Sequence, residues 1–349
     1  MKIKKLMLLH ITVLLLLIPA SCGKDQDTED TGLQPGEVIC KDMYFADPSA
    51  HVFNDTLYIY PSHDRESGIE PNSAADHYAM EDYHVLSIDS FKKGCTDHGM
   101  VLHVDDIPWA KRQLWAPDAA HRDGTYYLYF PAKDKDDIFR IGVATSPNPT
   151  GPFIAEEHYI EGSFSMDPAV FIDTDGTPYM YFGGIWGGQL ERWQSGTYDP
   201  NAKGPSGEEP ALGPQIAVLT DDMLSFKEAP REVSILDENG DPIVASDDAR
   251  RFFEAVWVHK HKDTYYLSYS TGNTHLLVYA VGKSPRGPFT YKGKLMDPVQ
   301  GWTTHHSIVK YRKKWYLFYH DASISGVDHL RSLKFREISY TRKGEIIVH

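Results

Sequence analysis

Asp47, Asp167, Glu254 and His305 each stand at the head of one copy of a repeated phrase, and the residue types suggest acid–base work. The copies read DPSAHVFNDTLYIYP from Asp47, APDAAHRDGTYYLYF from Ala116, DPAVFIDTDGTPYMYF from Asp167, EAVWVHKHKDTYYLSY from Glu254 and HHSIVKYRKKWYLFY from His305. Aligned on the aromatic run that closes each copy, the first column reads Asp, Ala, Asp, Glu, His. Three carboxyl groups and one imidazole brought to one cavity suit glycosidic hydrolysis: one acid protonates the leaving oxygen and one carboxylate activates water or attacks the sugar. The third keeps the acid protonated, because neighbouring negative charge raises a pKa. A metal-dependent hydrolase would want several His and carboxylates at ligand spacing, and this column offers one His. Asp-Pro, at 47–48 and 167–168, is also an ordinary turn initiator. Turns do not explain why acids recur in one register, since like charges gathered without a use are destabilising.

The elements that must hold this column are hairpins. In each copy an alternating or apolar run meets a polar turn and then a run rich in Tyr, Leu and Phe. Asp123-Gly124 and Asp175-Gly176 sit at such turns, where Gly accepts positive φ without cost and Asp tolerates it. Between copies lie further strand-like runs, RIGVATS from Arg140, IAVLT from Ile216 and LLVYAVGKS from Leu276, so each unit holds about four strands. Sheets too small to stand alone, repeated at roughly fifty to ninety residues, indicate radial stacking. The expectation is an all-β, five-bladed β-propeller with about four antiparallel strands per blade. The innermost strand of every blade begins near the axis, so the column becomes a ring, with Ala116 its blank position.

The 349 residues are covered by repeats from Asp47 almost to the C-terminus, which leaves no room for a second domain. A net charge of −14 argues against nucleic acid or an anionic membrane as partner. The 21 Tyr and 7 Trp suit stacking on sugar rings and core packing equally. Residues 1–22, MKIKKLMLLHITVLLLLIPASC, give a basic start, an apolar run and small residues before a cysteine, the pattern of an export signal. IPASC resembles a bacterial lipoprotein cleavage site with Cys22 as the lipidated residue, although Pro19 stands where Leu is usual; a plain secretory signal is the alternative. Residues 23–38 read as a flexible tether and 39–349 as the propeller. The expected location is the bacterial outer membrane, through a lipid anchor alone, or the secreted fraction. Cys40 and Cys95 are expected unpaired and buried, with one disulfide the alternative.

Five segments resemble glycoside hydrolase family 43: ADPSAHVFNDTLYIYPSHD at Ala46, QLWAPDAAHRDGTYYLYFPAKD at Gln113, SMDPAVFIDTDGTPYMYFGG at Ser165, FFEAVWVHKHKDTYYLSYS at Phe252 and THHSIVKYRKKWYLFYHD at Thr304. The resemblance spans the chain beyond the leader. It implies a five-bladed propeller that inverts anomeric configuration, with Asp47 as general base, Asp167 as pKa modulator and orienter, and Glu254 as general acid. A carboxyl separation of about 6.5–9.5 Å goes with that geometry. For His305 the resemblance implies contact with a Ca²⁺ or water cluster on the propeller axis; a cavity hydrogen bond is the other reading, since Ca²⁺ prefers oxygen ligands. Arg331, in HLRSLKFREISY, resembles the Arg that the last blade directs to the sugar, against a surface strand position. Trp115 resembles the aromatic wall of the same subsite, against core packing.

Phe45, Ser165 and Trp186 are further candidates for lining the pocket, and His63-Asp64 for a polar wall or a turn. His259 and His261 share a strand face beyond the cavity end and are read as non-catalytic; His306 should point off axis. DTDG at Asp173 lacks the Glu of a calcium loop, Gly184 standing in its place. GGIWGGQ has no following helix pattern and is no phosphate cradle. The resemblance implies an exo-acting α-L-arabinofuranosidase on arabinose- or xylose-containing polysaccharide or oligosaccharide. A β-xylosidase, then an endo-arabinanase, then a catalytically silent carbohydrate-binding propeller are the alternatives. No organic cofactor is expected.

Overall fold

The computed structural model describes residues 32–349, which form five small sheets in a ring. The innermost strands are Tyr44–Phe53, Asp118–Arg122, Ala169–Ile172, Phe252–His261 and His306–Tyr311. Each touches the innermost strand of the next blade, and the fifth returns to the first. Four blades have four antiparallel strands. The fourth departs from expectation: the two-residue strand Ile235–Leu236 adds to its outer edge in parallel with Phe289–Met296. The turn Asp123-Gly124 has positive φ at both residues, 51° and 83°, as a tight twisted hairpin requires.

The aromatic run that defines the repeat has a structural duty between blades. Tyr60, Tyr129 and Tyr181 donate their hydroxyls to the carbonyls of Pro149, Met223 and Pro285, each in the next blade. Tyr266 does the same to Gly344, and Tyr311 of the fifth blade to Asp89 of the first. Each ring is buried for its apolar area while its one polar atom meets a carbonyl that would otherwise be stranded. Near the inner edge Asp118, fully buried, accepts from Ser49 and Val170 and pairs with His51 at 2.7 Å, tying three blades together.

The ring closes without a shared sheet: the first blade is built wholly from the N-terminal end and the fifth from the C-terminal end. Residues 1–31, and with them the expected signal and Cys22, lie outside the described residues. Residues 32–38, expected within the flexible tether, instead lie along this seam. Leu33 N–H donates to Phe91 O at 2.7 Å, Gly36 N–H to Phe335 O at 2.8 Å and Ile39 N–H to Leu333 O at 2.9 Å. The cause is apolar cover, since Leu33 and Ile39 complete a cluster with Tyr311, Phe318 and Phe335. Cys40 and Cys95 are free thiols at the margin of that cluster and half-buried, where full burial was expected. No helix among the described residues is long and apolar enough to cross a membrane.

Candidate active site

The head residues of all five repeats meet at one cavity of about 540 Å³: Asp47, Ala116, Asp167, Glu254 and His305 all line it. The backbone is bent to aim them. Asp47 and Asp167 have positive φ, 49° and 57°, each directly before a proline, and a bulge interrupts pairing between Ala46 and Ser49. Bulges flank Glu254 on both sides, and Ala255 after it has φ of 60°. Non-glycine residues in this region cost of order 1 kcal/mol or more each, and such strain concentrates at functional sites.

Asp47 is buried and fully paired. Arg331 Nη1 donates to Oδ1 at 2.8 Å, Ser62 Oγ donates to Oδ2 at 2.7 Å, and the Asp47 N–H donates to His320 Nδ1 at 3.0 Å. Burial alone would raise its pKa, but the Arg331 guanidinium, helped by the histidines and Ser62, brings it down to about 2. Arg331 is itself buried and held in a fork by Asp64, with Nε to Oδ2 at 2.8 Å and Nη2 to Oδ1 at 2.7 Å. Its guanidinium lies 5.1 Å from the centre of the Tyr78 ring. His320, hydrogen-bonded to Thr303 Oγ1 at 2.9 Å, is kept neutral by burial and then by Arg331, its pKa lowered to about 3. It can therefore accept the Asp47 N–H.

Asp167 accepts the Ala255 N–H at 2.9 Å, and His305 Nδ1 stands 3.8 Å from Asp167 Oδ2 and 3.8 Å from Asp47 Oδ1. Burial raises Asp167 to about 6 against the pull of His305. Glu254 is raised furthest, first by burial and then by the negative charges of Asp167 and Asp47. The cavity thus holds one carboxylate whose ionised form is favoured and two carboxyl groups whose protonated forms are favoured by burial, Glu254 with the added repulsion of both aspartates. That set can donate a proton on one side of a bound molecule and accept one on another.

Of the other expected residues, Arg331, Trp115 and Trp186 line the cavity. Trp115 does so with its indole N–H donated to Tyr78 O at 2.8 Å and its ring 4.6 Å from that of Phe139, so wall and core packing are the same contact. Trp186 is 46 % exposed at the mouth and stacks on Trp302, 6.4 Å between centroids. Phe45 does not line the cavity; its ring turns into the apolar cluster between the first and fifth blades. Ser165 does not line it either, because its hydroxyl donates to Gly188 O at 2.7 Å and accepts the Gly184 N–H at 3.0 Å, bracing the GGIWGG loop. Space at Gly184 is tight: a Cβ there would lie 3.2 Å from Glu254 Cβ and would require the Met166 side-chain end, 2.2 Å away, to swing aside. Asp64 is the seat of Arg331, and His63 faces away from the cavity. His306 is buried against Ser268, while His259 and His261 stack on Tyr266 and Tyr340.

Ser62, Tyr78, His320, Trp302 and Thr303 were not singled out from sequence. Ser62 and His320 had a usable signal, since each sits in the second strand of its hairpin opposite the head of the first, Ser62 pairing with Ala46. Tyr78 and Trp302 lie between strands, where no period marks them.

Comparison with known proteins places the chain in a family. The model of glycosyl hydrolases family 43 matches residues 43–346. The chain is 59 % identical to xylosidase/arabinosidase 43A of Humicola insolens, over 88 % of this chain and 98 % of that one. It is 51 % identical to a beta-xylosidase of Xylanibacter ruminicola, over 87 % and 96 % respectively. A GH43 beta-xylosidase/alpha-arabinofuranosidase from a compost metagenome, solved with xylotriose in a calcium-free form, superposes with a TM-score of 0.89 at 57 % identity, covering 91 % of this chain and 98 % of that one. By sequence and by fold, the chain belongs to glycosyl hydrolase family 43.

Proposed function

We propose that this glycosidase is an inverting, exo-acting enzyme that releases terminal α-L-arabinofuranosyl and β-D-xylosyl units from plant polysaccharide side chains or oligosaccharides. The observation that carries the reading is the convergence of Asp47, Asp167 and Glu254 on one cavity, with Asp47 alone of the three held by the Arg331 guanidinium; burial and mutual repulsion then favour the protonated form of Glu254. Asp47, ionised and clamped by Arg331, activates the attacking water; Glu254 protonates the leaving oxygen; Asp167 keeps Glu254 protonated. Arg331, shared between Asp47 and Asp64, also offers a fixed donor face to a sugar hydroxyl. A cavity of about 540 Å³, walled by Trp115 and with Trp186 and Trp302 at its mouth, suits one or two sugar rings rather than a polymer in passage. The arabinofuranosidase reading from sequence is widened to xylosides because the names of the similar proteins support both. Turnover of paired aryl arabinofuranoside and aryl xyloside, with the first-formed product anomer followed by NMR, tests it. Inversion and activity on both are expected; net retention would sink the mechanism, and activity on one alone the dual specificity.

A Ca²⁺ on the propeller axis is a separate proposal. Among the described residues no group of three His, Cys, Asp or Glu ligand atoms gathers at His305. The carboxylate oxygens nearest His305, of Asp47 and Asp167, stand 3.8 Å from its Nδ1, and the oxygen of Asp47 is already engaged by Arg331, a poor match to the oxygen cage that Ca²⁺ prefers. No catalytic step above passes through it; activity unchanged after chelation would dismiss it. We also infer export and lipidation at Cys22 from residues 1–22. Loss of radiolabelled fatty acid in Cys22→Ser is expected.

A further inference from the structure

A second cluster of ligating side chains lies away from the cavity, on the face of the first blade turned toward the fifth. The second and third strands of that blade, Thr56–Asp64 and Asp82–Ile88, pair Ser62 with Tyr83, which sets His63 opposite Asp82. His84 follows Asp82 by two residues and so shares its face. One ligand atom from each of His63, Asp82 and His84 lies within 4.8 Å of the other two. His63 Nδ1 is 2.6 Å from Asp82 Oδ1, and the two imidazole rings are 4.7 Å apart. His84 Nδ1 faces both oxygens of Asp97, on the outermost strand, at 3.0 and 3.1 Å. The three side chains keep 18 %, 21 % and 10 % exposure, enough for an ion to enter from solvent. None of them borders the carboxylate cavity.

We propose that His63, Asp82 and His84 bind one divalent transition-metal ion, with Zn²⁺ the best match. Two imidazoles and one carboxylate with a fourth position left to water are a zinc donor set, and two nitrogens disfavour Ca²⁺ or Mg²⁺. A tetrahedral ion at about 2.0–2.2 Å from each donor needs the three atoms about 3.3–3.6 Å apart, so His63 Nδ1 and Asp82 Oδ1, now 2.6 Å apart, move slightly away from one another, which rotation of these partly exposed side chains permits. Asp97 supplies what a zinc-bound histidine needs behind it, a carboxylate on the other ring nitrogen that fixes tautomer and orientation. The ion would cross-link the second and third strands at the end from which Asp64 reaches Arg331.

The test uses the purified chain after chelator dialysis, with Co²⁺ as visible probe and Zn²⁺ and Ca²⁺ as competitors. About one equivalent of Co²⁺ is expected to bind with tetrahedral ligand-field absorption, displaced by Zn²⁺ and untouched by excess Ca²⁺. His63→Gln and His84→Gln should each abolish the signal, and Asp97→Asn should weaken binding by about 10- to 100-fold. Circular dichroism checks that the variants are folded; should either histidine variant misfold, Asp82→Asn takes its place. Absence of saturable Co²⁺ binding, or binding unchanged in folded variants, overturns the site.

Discussion

Replacing Arg331 with Met separates the electrostatic role of this residue from its bulk. The guanidinium donates twice to Asp64, once to Asp47 and once to Thr303, at 2.7 to 3.1 Å. Methionine keeps much of the length and removes every donor, leaving Asp64 buried with only the residue-331 N–H. Breaking one side of a buried ion pair costs roughly 3–5 kcal/mol, a fall in Tm on the order of 10 °C for a chain of this size. Asp47 loses the charge that holds it at about 2 against an ordinary 3.8, a difference worth on the order of 2 kcal/mol. Because the folded pKa is the depressed one, this stability is present above the ordinary value and lost as pH falls through the folded value. In Arg331→Met burial acts on Asp47 with much less opposition, so its pKa rises and the acid limb of kcat/KM moves to higher pH. The assay is the pH profile of kcat/KM on an aryl glycoside, alongside thermal unfolding at neutral pH. The double variant Arg331→Met with Asp64→Asn should recover part of the stability without restoring the acid limb, since Asp47 is still unpaired. A wild-type acid limb in folded Arg331→Met would refute the reasoning, as would a double variant no more stable than the single one.

Glu254→Gln should lose activity on substrates with poor leaving groups by about 100-fold or more and far less on activated aryl glycosides; equal loss on both would remove Glu254 as the acid. Asp167→Asn takes away a negative charge that keeps Glu254 protonated, so the alkaline limb of the pH profile should move to lower pH, and an unmoved limb would separate the two groups. Trp302→Ala should raise KM for a xylo-oligosaccharide about 2- to 10-fold through lost stacking and leave KM for an aryl monosaccharide nearly unchanged; equal effects would place Trp302 outside the oligosaccharide path.

The column of head residues was legible because hairpin register repeats, so residues equivalent in sequence arrive at equivalent radii. The clasping Tyr60, Tyr129, Tyr181, Tyr266 and Tyr311 were visible only as an aromatic run, since their carbonyl partners sit in loops of another blade. Proximity in sequence misled at Phe45 and Ser165: each stands two residues before its aspartate, where regular alternation would put both on one face, but the positive φ at Asp47, Ser165 and Asp167 and the bulge between Ala46 and Ser49 break that alternation. Arg331 could be picked from resemblance but not from pattern, because its meaning comes from Asp64 and Asp47, which lie 267 and 284 residues away. Trp302 and Tyr78 reach the cavity from irregular segments, where no periodicity exists to be read. The run before Ile39 looked like tether because its polar residues outnumber the few apolar ones that dock.

The pairing of Arg331 with Asp47 and Asp64 joins the last blade to the first. During synthesis Asp47 emerges early, whereas its counter-charge is made only when the fifth blade is nearly finished. Until then the carboxylate has no guanidinium beside it and the cavity lacks a wall. Hydrolysis should therefore begin only after the ring has closed, so that a partly made or seam-opened chain is silent, and catalytic activity serves as a direct readout of complete assembly.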